Sequence, residues 1–295
     1  MILRVAAIGL LVIAVAWVAV LRLLSPPGQL SLLDAAMGGG WGVARAGTAL
    51  PFGSHGQTLD VWRPASTAKA ALPVVIFFYG GGWAMGSRDG YRFAARAFAK
   101  QGFVVVVPDY RKVPDVRFPA FVADGAEAVQ WTHDHIAAYG GDPNRIALAG
   151  HSAGAHIIAM LALDRHFLAA QQLPADTIKA VVGLSGPYDF YPWTSTRAIE
   201  AFRGTPDPST TQPITYARAD APPMLLVTSA GDTQVQPRNA VSLTRRLKEL
   251  GAHAEFREYA RLSHEEVAMA LSVPFRAKAP VLTDSAAFLH RVLGN

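Results

Sequence analysis

Cysteine is absent from the 295-residue chain. That removes disulfides, thiolate nucleophiles and zinc–thiolate sites together. It leaves the redox compartment open, because a cysteine-free domain folds in oxidising and reducing surroundings alike. Charge is scarce as well. Charged residues make up 17% of the chain against 51% apolar ones, a balance that excludes intrinsic disorder. The formal charge of +5 is spread among interspersed acids and bases, with no basic run to grip a phosphate backbone, so no nucleic-acid partner is expected. There are no internal repeats, and no Gly-Lys-Ser/Thr follows any glycine-rich stretch, which disfavours a P-loop. His133 and His135, two apart on an expected helix, point to different sides and are poorly placed to share a metal.

One long uncharged run is present. Residues 5–21 hold 17 residues without a charge, bracketed by Arg4 and Arg22. That is close to the length of a membrane-spanning helix. Leu23 and Leu24 extend it if Arg22 snorkels to the interface, and Trp17 suits the interfacial zone. Residues 1–24 are therefore expected to form an N-terminal transmembrane anchor. A signal peptide cleaved after Ala16 is the alternative, and would give a secreted protein. The amino terminus plus Arg4 outweighs Arg22, which puts the N-terminus in the cytoplasm and the rest of the chain outside it. Residues 25–50, with Gly38, Gly39, Gly40 and Gly42, read as a flexible linker.

Residues 51–295 read as one large domain. Short β-branched runs at 58–62, 73–78, 103–107, 145–149, 180–184, 224–228 and 254–259 suggest strands, most of them covered on both faces. Helical stretches at 91–101, 118–139, 153–163 and 239–250 alternate with them, and Gly102 and Gly251 are placed to cap two of these. This alternation predicts an α/β fold with a mostly parallel central sheet flanked by helices. Sites in such sheets form beyond the carboxyl ends of the strands.

The chemistry concentrates at those ends. Gly150-His151-Ser152-Ala153-Gly154 directly follows the strand RIALA and opens the helix AHIIAMLAL. That strand–turn–helix setting makes Gly-x-Ser-x-Gly a nucleophile turn, with Ser152 raised above the sheet. Tyr79-Gly80-Gly81-Gly82-Trp83 directly follows the strand PVVIFF. Its glycines let main-chain N–H groups turn toward an oxyanion, so Gly81 and Gly82 are expected donors, with Ala153 as the third. A serine nucleophile needs a base and an orienting acid, in the chain order Ser, Asp, His. Asp232 follows the sixth strand and His264 the seventh, which makes them the expected acid and base, with Asp189 as the rival acid. His253 precedes a strand and His290 sits in the last expected helix. His151 is the variable position of the turn, His156 reads as a packed helix residue, and Asp109-Tyr110-Arg111 as a structural polar cluster.

With these residues in view, the chain resembles the α/β-hydrolase esterases, above all the carboxylesterases of the hormone-sensitive-lipase and bacterial feruloyl-esterase-like groups. The segments that carry the resemblance are YGGGW, VVPDYR, FPAFVADGAEAVQW, GHSAGAH, LSGPYD, Gly231-Asp232 and Ser263-His264, in the family's order over about residues 73–265. GHSAGAH with LSGPYD is also similar to kynurenine formamidase. The resemblance implies a serine hydrolase acting on a small-molecule carboxylic ester, with an acyl-enzyme intermediate and no metal or organic cofactor. It departs in one place: the glycine loop usually opens with His, and here it opens with Tyr79. The segment 188–216 is expected to form a small cap, and Trp83, Tyr188, Phe190 and Trp193 to line a substrate pocket. An amidase of the formamidase type and a catalytically silent, membrane-tethered binding protein are the competing readings.

Overall fold

The computed structural model describes residues 22–66 and 70–294. The apolar segment expected to anchor the chain, residues 5–21, lies outside them. Among the described residues no helix is long and apolar enough to cross a membrane.

Eight strands form one sheet in the order β1-β2-β4-β3-β5-β6-β7-β8. They are β1 (Val43–Phe52), β2 (Gln57–Pro64), β3 (Leu72–Phe78), β4 (Val104–Pro108), β5 (Gly141–His151), β6 (Ile178–Leu184), β7 (Met224–Ser229) and β8 (Ala254–Tyr259). β1 and β2 pair antiparallel, β2 meets β4 antiparallel, and every later pairing is parallel. The central strands are continuous apolar runs because both faces are covered. From Pro73 to Phe78 and through the whole of β4 every residue is buried. Helices α2 (Arg92–Lys100) and α9 (Val281–Leu293) pack on each other and on the sheet, and α3 (Ala120–His135) and α4 (Ala153–Leu163) form a second packed pair. α4 is the most enclosed, with all of its residues buried. The remaining described helices are α1 (Pro26–Ala36), α5 (Arg165–Ala170), α6 (Thr196–Phe202), α7 (Arg238–Glu249) and α8 (His264–Met269).

The expected strands and long helices lie within a few residues of those observed. The linker does not. Residues 25–50 hold α1 and most of β1, both part of the domain. Asp34 on α1 is buried and grips Arg96 of α2 at 2.9 Å, and its other oxygen accepts the Val273 amide at 2.9 Å. Ser31 donates to the Gly90 carbonyl at 2.7 Å and accepts from the Phe93 amide. Gly39, just after α1, serves close packing. A Cβ on Gly39 would fall 2.1 Å from a carboxylate oxygen of Asp34. β1 escaped the sequence reading because it is an edge strand with only two buried residues, so it shows no apolar run.

Candidate active site

β5 ends at His151 and α4 begins at Ala153, so Ser152 is the whole turn. Its backbone sits at φ 54 and ψ −121, a region that side chains rarely occupy and that costs roughly 1–3 kcal/mol. The surroundings enforce it. A Cβ on Gly154 would fall 2.1 Å from the Phe78 carbonyl oxygen, and one on Gly150 would meet the Gly154 carbonyl at 2.8 Å. Only glycines let strand, turn and helix approach this closely. The Ser152 amide is tied to the Leu184 carbonyl at 2.9 Å, and its side chain stands at the N-terminal end of α4.

Asp232 lies in the loop after β7, and His264 is the first residue of α8, after β8. The two loops are stitched together by Ser229, whose hydroxyl donates to the Tyr259 carbonyl at 2.8 Å and accepts from the Leu262 amide at 2.9 Å. A capping box fixes the start of α8: the Ser263 hydroxyl accepts from the Glu266 amide, and the Glu266 carboxylate accepts from the Ser263 amide. The outcome is a hydrogen-bonded chain. His264 Nδ1 lies 2.8 Å from Asp232 Oδ2, and His264 Nε2 lies 2.8 Å from Ser152 Oγ. A carboxylate only accepts, so Nδ1 carries the proton and Nε2 turns a lone pair toward the serine. The other Asp232 oxygen accepts the amides of Gln234 and Val235 at 3.0 and 2.9 Å. Burial alone would raise the Asp232 pKa. The hydrogen bond from His264, the favourable electrostatics of that ring and the Val235 amide outweigh it and hold the carboxyl below its usual range. Asp189, the rival acid, instead uses its amide to donate to the Asn239 side chain at 2.9 Å.

The glycine loop leaves β3 and passes beside the serine. A Cβ on Gly80 would lie 3.1 Å from Ser152 Cβ. Gly81 and Gly82 take φ of 136° and 60°, the first unavailable and the second uncommon for residues with side chains. Among the described residues, the N–H groups of Gly81, Gly82 and Ala153 donate to no protein acceptor. They are donors free for a ligand. Tyr79, the departure from the usual loop, has a structural task. Its hydroxyl donates to Asp109 at 2.8 Å, and its ring stacks on Tyr110 and Tyr91 with centroids 4.8 and 5.7 Å apart. Asp109 and Asp60 both bind Arg88 of the same loop, so the polar cluster after β4 holds the glycine loop in place.

Trp83, Phe190 and Trp193, expected to line a pocket, gather in one aromatic cluster with Phe118, Phe121 and Phe202. His156 of α4 stands edge-on within it, 5.4 Å from the Trp83 ring, and donates from Nε2 to the Thr211 carbonyl at 2.9 Å. Tyr188 does not join them. It is fully buried, its ring pressed on Gly183 and Gly186, where it packs the base of the 188–216 segment. That segment carries α6 and two short 3-10 turns, and it is fastened to the start of α3 by the Phe118 amide on the Ala201 carbonyl at 2.9 Å. Surface concavities of about 580 and 540 Å3 occur near Trp41 and beside α7; neither is lined by Ser152, Asp232 or His264. Among the described residues no group of three or more His, Asp or Glu is placed to hold a metal ion.

His151 is the residue that sequence reasoning passed over. As the variable position of the turn it carries no signal, yet it is buried between the Tyr91 hydroxyl, 3.5 Å from Nδ1, and the His264 carbonyl, 3.0 Å from Nε2. Burial and the nearby His264 ring push its pKa down to about 3.

Comparison with known proteins agrees with this architecture. The BD-FAE family profile matches residues 59–247. The chain is similar to esterase LipC of Mycobacterium tuberculosis, with 35% identity over 217 residues that cover 65% of this chain and 52% of that protein. It is similar to the isoprenylcysteine alpha-carbonyl methylesterase ICME of Arabidopsis thaliana, with 29% identity covering 79% of this chain and 59% of that one. The chain thus spans little more than half the length of these curated relatives. Among solved structures, a hyperthermophilic esterase from the archaeon Pyrobaculum calidifontis matches with a TM-score of 0.73 at 23% identity, covering 90% of this chain and 91% of that one. Esterase 2 of Thermogutta terrifontis, in a butyrate-bound structure, matches with a TM-score of 0.68 at 24% identity, covering 80% and 90%. With an α/β-hydrolase fold and a family match over more than half of its length, the chain belongs to the BD-FAE family.

Proposed function

We propose that this chain is a serine hydrolase that cleaves carboxylic esters through an acyl-enzyme. The observation that carries the reading is the unbroken chain from Ser152 Oγ to His264 to Asp232, with both contacts at 2.8 Å. Ser152 Oγ attacks the ester carbonyl as His264 Nε2 takes its proton. Asp232 holds the imidazole in the right tautomer and stabilises the imidazolium. The amides of Gly81, Gly82 and Ala153 receive the oxyanion. Collapse breaks the carbonyl–alkoxy bond, and His264 returns its proton to the departing alcohol. Water then attacks the acyl group on Ser152 with His264 again as base; the acyl–Oγ bond breaks, His264 returns the proton to Ser152 Oγ, and the carboxylic acid leaves. The esterase names of LipC and ICME support the substrate class.

The test is fluorophosphonate labelling together with hydrolysis of a panel of esters and aryl formamides. Labelling of the wild type at Ser152, with ester turnover lost in Ser152→Ala by several orders of magnitude, is the expected result. Faster cleavage of the formamides would move the reading to an amidase. A protein that neither labels nor turns over would be a binding protein with a hydrolase fold.

The sequence of residues 5–21 supports a membrane anchor, with the catalytic domain outside the cytoplasm. The full chain is then expected in the membrane fraction after washes with salt and at high pH. A native N-terminus at Trp17 would instead identify a cleaved signal peptide and a secreted enzyme.

A further inference from the structure

Helix α6 lays one side chain on the glycine loop. The stem of Arg197 rests on Gly82: Cδ lies 2.6 Å from where a Cβ of Gly82 would be, and Cγ lies 3.5 Å from it. The missing side chain at Gly82 is the seat for this arginine. Its guanidinium is exposed and makes one polar contact, Nη2 to the Met85 sulfur at 3.8 Å.

The other arginines around it each have a carboxylate partner. Arg88 is held by Asp60 and Asp109, and Arg111 by Asp124. Arg117 and Arg203 share Glu200, the one acid of α6. Among the described residues no carboxylate pairs with Arg197. Gly82 beside it is part-exposed, as is Ser152, which the same loop approaches at Gly80. The rim of the site therefore carries an uncompensated cation within one side-chain length of a free Gly82 amide. A planar guanidinium there matches a carboxylate in a two-pronged geometry that a point charge cannot.

We infer that Arg197 is a specificity-determining residue that binds an anionic group of the substrate, so that the preferred esters carry a carboxylate a few atoms from the scissile carbonyl. This rests on the esterase reading above. A neutral ester meets the same oxyanion donors and leaves Arg197 in water. An anionic one exchanges its hydration for a charge-assisted pair at the site's edge.

The hydrolytic test uses the full chain with monomethyl glutarate and its neutral isostere methyl 5-oxohexanoate. The wild type is expected to favour the anionic ester in kcat/KM, mainly through KM. That preference should fall roughly 10- to 100-fold in Arg197→Gln, the size expected for one charge-assisted contact, and Arg197→Lys should restore part of it. Added salt should narrow the wild-type preference, because the guanidinium is exposed. Equal kcat/KM for the two esters in the wild type, or the same ratio in Arg197→Gln, overturns the inference. A binding arm separates it from the hydrolytic reading: calorimetric titration of monomethyl glutarate into Ser152→Ala and into the Ser152→Ala, Arg197→Gln double variant. Weaker binding in the double variant upholds anion recognition even where no turnover is seen. Equal binding in the two overturns it.

Discussion

His151 Nε2 lies 3.0 Å from the main-chain carbonyl oxygen of His264. A carbonyl only accepts, so His151 is the donor, and its proton sits on Nε2. The same ring presses against the glycine loop, where a Cβ on Gly80 would lie 2.7 Å from Nδ1. One buried imidazole thus lies between the loop with the free amides and the backbone of His264. Replacement of His151 by Leu is expected to lower kcat by about 10- to 100-fold with little change in KM, because a small misplacement of the base acts on the chemical step. His151→Gln, whose amide N–H can reach the same carbonyl, should retain more activity. Equal losses in the two variants would show that ring packing and not the hydrogen bond is what matters.

The acid assignment is tested by exchange. Asp232→Asn should reduce turnover by several orders of magnitude, because an amide facing His264 Nδ1 favours the wrong tautomer. Asp189→Asn should stay within a few-fold of wild type, since Asp189 is tied to Asn239 through its main-chain amide. Steady-state rates of the two variants against one ester decide the matter, and a reversed order would reassign the acid.

Asp34 and Arg96 form a buried pair, with side chains 2% and 7% exposed. Removal of one partner leaves a buried charge, a loss of about 3–5 kcal/mol. Asp34→Ala should therefore show a clearly lower urea midpoint than wild type. A protein starting at Ser25 should keep its stability, whereas one starting at Trp41 should lose α1 and unfold early. Matching midpoints for the two truncations would return this stretch to the status of a spacer.

Acid should weaken the fold before it protonates Asp232. Burial pushes His151 down to about 3 and His156 down to about 4, below the ordinary value of about 6.5 that both regain on unfolding. Between these limits the unfolded chain binds protons that the native one refuses, so stability is full above about pH 6.5 and falls as pH drops toward the folded values. The slope is up to about 1.4 kcal/mol per pH unit for each histidine. Urea midpoints from pH 7 to pH 4.5 should trace this limb, and His156→Gln should make it shallower. An unchanged slope in that variant would mean that His156 takes up its proton in the folded state.

Local pattern was enough to read the core of the fold and to place Ser152, Asp232 and His264 at its strand ends. β3, β4 and β7 are apolar because both faces are covered, and that burial shows as unbroken runs. Ser152, Asp232 and His264 each follow a strand in a parallel sheet, so strand ends alone bring them to one edge. Where the signal depends on contacts distant in sequence, the chain is silent. β1 is an edge strand, and α1 is held through Arg96 and Val273, far along the chain. Tyr188 looked like a pocket residue because aromatics beside a site often are, and only packing shows it wedged on Gly183 and Gly186. His151 and Arg197 gain their roles from a carbonyl 113 residues away and from a glycine on another loop. Burial periodicity is written along the chain, one residue to the next. The partners of a buried polar group are chosen by the tertiary fold, since the cost of leaving that group unpaired is met by whichever atom the fold brings within reach.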